Sequence, residues 1–219
     1  MAKSWKTILI YHALENEIQR CAKSYFRGKL IDIGCGVKPY MQIVAPHVTE
    51  HVGLDHWDPF NSASKVDLVG TADSIPADDA SFDSALSTAT LEHLAEPEVS
   101  LRECNRVLKP GGIAVYTVPL FWQLHAEPRD YYRFTKYGLQ HIFQKAGFEI
   151  IEIKALAGFW TTFATMFCYY IARFYHGPMR YIPVIPVAGL FIQGIAYFLE
   201  KLDKAEEWTW MYLVVAKKK

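Results

Sequence analysis

Apolar residues fall at helical spacing early in the chain: Ile8, Leu9, Tyr11, Leu14, Ile18, Cys21 and Tyr25. This pattern predicts an amphipathic helix over residues 4–26 that stops near Gly28. Seven short apolar runs follow, at 29–34, 51–55, 66–69, 82–87, 113–118, 148–153 and 210–216. Each is bounded by glycine, proline or polar residues and predicts a strand. Between them, Val99, Leu101, Cys104, Val107 and Leu108 form a helical stripe, which Lys109-Pro110-Gly111-Gly112 is expected to end. Thr135 is placed to cap a further helix running to Ala146 and closed by Gly147. Strands alternating with helices argue for an α/β fold around a parallel sheet covered by helices.

Residues 158–203 break the alternation. Phe159, Trp160, Phe163, Met166, Phe167, Tyr170 and Phe174 follow helical spacing, with Thr161, Thr162, Thr165 and Cys168 between them. From Val187 to Leu199, Gln193 is the one polar side chain. A helix apolar all round has to be covered. Three coverings stay open: a cap over a pocket or a homodimer interface, a membrane interface, or a spanning hairpin. The last is disfavoured. Pro183 and Pro186 interrupt the second run, and the hairpin would carry Arg173, His176 and Arg180 to the far side.

Composition narrows the classes. At 219 residues, 51% hydrophobic and 21% charged, the chain can bury a core, and disorder is excluded as its main state. One domain over 1–219 is expected: helix 1–27, core 28–156, apolar insertion 158–203 and last strand 208–216. Twenty-three basic residues balance twenty-three acidic ones, which disfavours a nucleic-acid partner bound through bulk charge. Cys21, Cys35, Cys104 and Cys168 are scattered without metal-ligand spacing, so no metal is expected and a reducing, cytoplasmic setting is. No secretory signal is read at the start, and Lys217–Lys219 reads as a solvated tail.

The first run ends Asp32-Ile-Gly34-Cys-Gly36-Val-Lys-Pro39. Two glycines let backbone approach a ligand, but Pro39 stands where a dinucleotide fingerprint needs its third glycine. Asp55 ends the next strand 19 residues after Gly36, where a carboxylate can accept from vicinal ribose hydroxyls. The order of segments is more specific. Asp32–Gly36, Gly53-Leu-Asp55, Ala72-Asp73-Ser-Ile-Pro76, Ser81-Phe-Asp83, Leu91-Glu-His93, Arg106–Gly112 and Ala146-Gly-Phe148 together resemble the Rossmann-like S-adenosylmethionine-dependent methyltransferases, nearest the small-molecule and quinone-type branch. The resemblance covers residues 28–156 and the final strand.

That resemblance implies a doubly wound seven-stranded sheet with an antiparallel last strand, the apolar helical insertion lying before it. It implies S-adenosyl-L-methionine as cofactor. Gly34, Cys35 and Gly36 would line its methionine part, with Asp32 anchoring the loop near the ammonium. Asp55 and His56 would sit at the ribose, Ala72, Asp73 and Ser74 at the adenine, and Ser87 beside the methionine.

Ligands of such folds gather at the C-terminal ends of the strands. The segment after the fifth strand, His125-Ala-Glu-Pro-Arg129-Asp-Tyr131-Tyr132-Arg133-Phe-Thr135, therefore faces the acceptor. It resembles a subset of bacterial methyltransferases, some of them associated with surface-polysaccharide gene clusters. His125 is the first candidate base, followed by His93 and Tyr131. Arg129, Arg133, Tyr132 and Trp122 are candidate acceptor contacts. The expected chemistry is O-methylation of a hydrophobic, lipid-linked or saccharide acceptor. A non-catalytic cofactor-binding module docking a partner or membrane is the alternative.

Overall fold

The computed structural model describes residues 4–56, 66–203 and 205–219. In chain order the elements are α1 (Ile8–Tyr25), β1 (Lys29–Ile33), the short α2 (Met41–Val44), β2 (Glu50–Asp55), β3 (Leu68–Val69) and β4 (Phe82–Thr88). They continue with α3 (Pro97–Val107), β5 (Leu108–Pro119), α4 (Lys136–Lys145), β6 (Phe148–Ala155), α5 (Phe159–Ile171), α6 (Val184–Leu202) and β7 (Met211–Lys218). The seven strands form one sheet in the order β3-β2-β1-β4-β5-β7-β6. The pairs β1–β2, β1–β4, β2–β3 and β4–β5 are parallel, and β7 is antiparallel. This is the expected α/β architecture, with the helical segment lying before the last strand.

Two details depart from the sequence reading. Lys109–Gly112 ends the helix as expected but does not break the strand: β5 begins at Leu108, and the register jumps from Phe82↔Leu108 to Ser84↔Ile113. The proline and glycines are absorbed as a bulge, where the ladder tolerates a missing donor. The terminal lysines are not a loose tail. β7 runs to Lys218, whose Nζ donates to the Leu108 carbonyl at 2.7 Å.

By internal contacts the chain divides into two compact units. The larger comprises Ile18–Leu120, Leu124–Lys154 and Tyr212–Lys219 and contains nearly the whole sheet. Residues 114–118 and 213–216 are buried without interruption, as strands covered on both faces require. Tyr116 and Phe143 pack edge to face at 5.3 Å, and Phe143 also touches Phe148. Thr135 caps α4 by accepting from Gly138 N–H at 3.1 Å.

The smaller unit comprises Met1–Glu17, Phe121–Gln123 and Ala155–Met211. Here α5 and α6 pack through their small and polar residues. Thr161, Thr162, Thr165 and Cys168 of α5 are buried, as are Gly189, Gln193 and Ala196 of α6. Gln193 Nε2 donates to the Lys6 carbonyl at 2.7 Å and to Thr165 Oγ1 at 3.3 Å. The Glu200 carboxylate caps α5, accepting from Gly158 N–H and, at 2.8 Å, from Thr161 N–H. The aromatic stripe read from the sequence points the other way at Phe167, Tyr170 and Phe174, which are exposed.

Candidate active site

The larger unit gathers the chemistry at the C-terminal ends of β1, β2 and β4. β1 is followed by a turn pinned to its neighbour: Gly34 N–H and Cys35 N–H both donate to the Leu54 carbonyl, at 2.9 and 3.1 Å. Gly34 has φ +74°, and a Cβ there would collide with the Thr90 side chain. Gly36 has φ +51°, and a Cβ there would meet nothing within 4 Å. The first glycine is thus required by crowding and the second by backbone conformation alone.

Asp55 ties this turn to the end of β2. Its Oδ2 accepts Gly36 N–H at 2.8 Å. Its Oδ1 accepts His56 N–H and faces His56 Nδ1, each at 2.8 Å. A cleft of about 120 Å³ opens beside it, lined by Gly34, Leu54, Asp55, His56, Gly70, Thr71, Ala72, Thr90, Leu94 and Arg129. Four residues expected at the cofactor, Gly34, Asp55, His56 and Ala72, meet here. So does Arg129, expected at the acceptor. Asp73 and Ser74 occupy the exposed turn beside Ala72, closed by a bridge between Thr71 and Ser74. Arg106 holds the chain beyond that turn. Its guanidinium donates to the carbonyls of Ile75 and Ala77 and to the Glu103 and Asp79 carboxylates, all at 2.7–2.9 Å.

Three expected cofactor residues lie deeper. Asp32 is buried and pairs at 3.0 Å with His51 Nε2 on β2, while burial pushes its carboxyl above the usual range. Ser87 is buried, its hydroxyl donating to the Ile33 carbonyl at 3.0 Å. Cys35 is also buried, which pushes its thiol up to about 12.

A second cluster brings together β4's outgoing turn and the loop after β5. Asp130 is the hub, its side chain 2% exposed. It takes two bonds from Arg133, at 2.7 and 2.9 Å, and one from His125 N–H at 2.9 Å. Arg133's fork holds the Asp130 carboxyl well below the usual carboxylate range. Arg133 is thereby committed to its own loop. The His125 and His93 rings meet edge to face, 4.7 Å between centroids. His93 Nδ1 lies 2.6 Å from the Arg129 carbonyl, and burial pulls the His93 imidazole below its usual range. Beneath them Glu92 is fully buried, and burial lifts its carboxyl to about 7. Tyr131 N–H and Tyr132 N–H donate to the Glu92 carbonyl, but both tyrosine side chains are exposed. Tyr132 hydroxyl donates to the Ala95 carbonyl at 3.0 Å.

Trp122 lies in the smaller unit. It packs edge to face on Tyr169 at 5.0 Å and lines a cavity of about 670 Å³ with Gln123, Phe163, Met166, Phe167, Tyr169, Tyr170 and Arg173. Sequence reasoning missed Thr90, Gly70 and Leu94 in the cleft, and the placement of Glu92. Nothing local marks them: Thr90 acquires meaning only through Gly34, 56 residues away.

The methyltransferase-domain family model matches residues 31–116, which span the glycine turn, Asp55, Ala72 and Glu92. The domain match and the named methyltransferase relatives support an S-adenosylmethionine-dependent methyltransferase built on this sheet. A demethylmenaquinone methyltransferase of Staphylococcus carnosus is 27% identical over 172 residues, covering 59% of this chain and 71% of its own length. The chloroplastic 2-methyl-6-phytyl-1,4-hydroquinone methyltransferase 1 of Oryza sativa subsp. japonica is 28% identical over 162 residues, covering 64% of this chain and 47% of that protein. Among solved structures, the [4+2]-cyclase SpnF has a TM-score of 0.63 at 22% identity, covering 94% of this chain and 79% of that one. Phosphoethanolamine N-methyltransferase 2 of Haemonchus contortus, in complex with S-adenosyl-L-methionine, has a TM-score of 0.61 at 19% identity, covering 94% and 52%. These structural likenesses establish the fold. A cyclase among them shows that the fold by itself leaves the reaction open.

Proposed function

We propose that this methyltransferase transfers the methyl group to a hydroxyl of an apolar, quinone-type acceptor delivered from a membrane surface. Within it, Gly34, Gly36 and Asp55 hold the methionine and ribose parts of the cofactor, and Ala72, Asp73 and Ser74 flank the adenine. The sulfonium carries a positive charge and leaves as a neutral thioether, so the protein has no leaving group to protonate. Alignment supplies most of the acceleration. A hydroxyl acceptor must still lose its proton, and a positioned base contributes about 10²–10⁴-fold. His125 and His93, held by Asp130 and by the Arg129 carbonyl, are the groups for that step.

The observation that carries the acceptor class is the aromatic cavity around Trp122, Phe163, Tyr169 and Tyr170, whose lining is mainly apolar. Trp122 and Gln123 stand three and two residues before His125 in the chain. The quinone-type relatives agree with an acceptor of this kind. Membrane delivery is supported by the outward apolar faces of α5 and α6. α6 is long and apolar enough to cross a membrane by length and composition alone. Peripheral attachment from the cytoplasmic side fits better, because a spanning hairpin would carry Arg173, His176 and Arg180 to the far side.

The experiment is a transfer assay with methyl-labelled S-adenosylmethionine against three acceptors: a short-chain prenylated quinol, a water-soluble catechol and a lipid-linked saccharide. The prenylated quinol should be methylated at oxygen with the highest kcat/KM. Label on a ring carbon would overturn the O-methylation reading. Preference for the saccharide would move the acceptor to the surface-polysaccharide class, and preference for the catechol would remove the apolar requirement.

A further inference from the structure

We infer that Glu92, His93 and His125 form a binding site for one divalent first-row metal ion, Zn²⁺ being the best match. One ligand atom from each of the three lies within 4.8 Å of the other two. Three features of the site go beyond proximity. Glu92 is fully buried, and neither carboxylate oxygen reaches a hydrogen-bond partner in another residue. A buried carboxylate left in that condition is unfavourable unless it is neutralised or ligates a cation. His93 is set in one tautomer, because a carbonyl only accepts. The Arg129 carbonyl, 2.6 Å from Nδ1, puts the proton there and leaves Nε2 with a lone pair, 3.9 Å from Glu92 Oε1. His125 turns Nδ1 toward the buried Asp130 carboxylate at 3.4 Å, and one of its ring nitrogens belongs to the three-atom group.

Imidazoles oriented by a carbonyl and a carboxylate are the outer-shell arrangement of metal-binding histidines. Two imidazole nitrogens and one carboxylate oxygen suit Zn²⁺ among the available ions, and three protein ligands leave a coordination position open. Ligand atoms within 4.8 Å of one another close to bonding distance by side-chain shifts on the order of 1 Å, and both histidine rings are half-buried rather than locked in the core.

The ion binds whether or not the acceptor reading holds. Its consequence for catalysis does rest on that reading. With the ion bound, an acceptor hydroxyl coordinates at the open position and releases its proton to solvent. The resulting oxyanion attacks the methyl carbon, and the carbon–sulfur pair stays on sulfur. The two histidines then act as ligands, and the ion supplies the acidity an imidazole base would otherwise provide.

The test uses the full chain, stripped with chelator and titrated calorimetrically with ZnSO4. One equivalent should bind. Glu92→Gln, His93→Gln and His125→Gln should each weaken binding by at least the 10–100-fold typical of losing even an outer-shell partner. S-adenosylhomocysteine binding by the same variants reports that they are folded. Absence of stoichiometric binding, or affinity unchanged in all three variants, overturns the proposal. Wild-type protein loaded with Co²⁺ gives a second reading that needs no variant. Intense visible bands support a low-coordinate nitrogen-and-oxygen site, and the spectrum of aqueous Co²⁺ refutes it. Zinc bound without methyl transfer to any quinol would sink the acceptor reading and leave the site standing.

Discussion

The Asp55 carboxylate serves two neighbours at once: Oδ2 fixes Gly36 of the glycine turn, and Oδ1 fixes His56. Oδ2, with one donor at Gly36, has a lone pair left for a ribose hydroxyl, so the residue that shapes the turn can also read the sugar. Hydrogen bonds to a charged acceptor contribute about 1.5–3 kcal/mol each. Asp55→Ala should therefore raise the dissociation constant for S-adenosylhomocysteine about 10- to 100-fold in a calorimetric titration, and it should also lower the melting temperature because the bonds to Gly36 and His56 are lost. Unchanged affinity would remove Asp55 from the cofactor site. This residue was legible in the sequence because strand-end position and acidity are both local signals. Asp32 and Ser87 were legible as positions but not as contacts. Asp32 meets His51 across the sheet, and the Ser87 hydroxyl is spent on Ile33. Arg129 was read as an acceptor contact, yet it lines the same cleft as Asp55, because the loop after β5 folds back over the end of β4. Sequence order carries no trace of that fold-back.

At the scale of elements, strand positions were readable and strand junctions were not. Short apolar runs bounded by turn residues located every strand, whereas the bulge at Lys109–Gly112 depends on what β4 presents opposite it. Asp83 of β4 provides that partner surface. It accepts from Lys29 N–H at 2.9 Å where β1 begins, and from Lys109 Nζ at 2.8 Å inside the bulge. Gly28 is required there, since a Cβ would collide with the Asp83 carboxylate. Partial burial alone would raise this carboxyl, but the bonds from Lys109 and Lys29 outweigh it and hold the group below its usual value. The sign follows from linkage. A carboxyl depressed in the folded state stabilises fully above its unfolded value, about 3.9, and loses that contribution as pH falls through the folded value. Urea midpoints of the wild type should therefore drop below about pH 4 more steeply than those of Asp83→Asn, the two curves converging in acid. Parallel curves across that window would show that Asp83 contributes no pH-dependent stability.

For the molecule as a whole, the informative feature is an inversion. A helix pair in water hides its apolar residues and shows its polar ones. In the smaller unit α5 buries threonines, and α6 buries Gly189, Gln193 and Ala196, against partners that include Trp5 on Gly189. Phe191 and Phe198 remain 69% and 67% exposed. The helical periodicity was visible in the sequence. Which face turns inward was not, because threonine and cysteine between aromatic residues look like the polar side of an amphipathic helix. Arg173 lies over Tyr170 at 5.6 Å and Lys201 over Tyr197 at 4.1 Å, pairing cations with aromatics as at a lipid headgroup boundary. Moving two phenylalanine side chains from water into acyl chains yields about 3–6 kcal/mol. Phe191→Glu combined with Phe198→Glu should therefore reduce partition onto liposomes roughly 100-fold or more. Cofactor affinity and melting temperature should hold, because neither ring is packed inside. Sedimentation with liposomes measures the first, and calorimetry and thermal denaturation the other two. If the wild-type chain stays in the supernatant as a monomer, the membrane reading fails. If it stays there as a dimer that the double variant dissociates, the same face is a subunit interface instead.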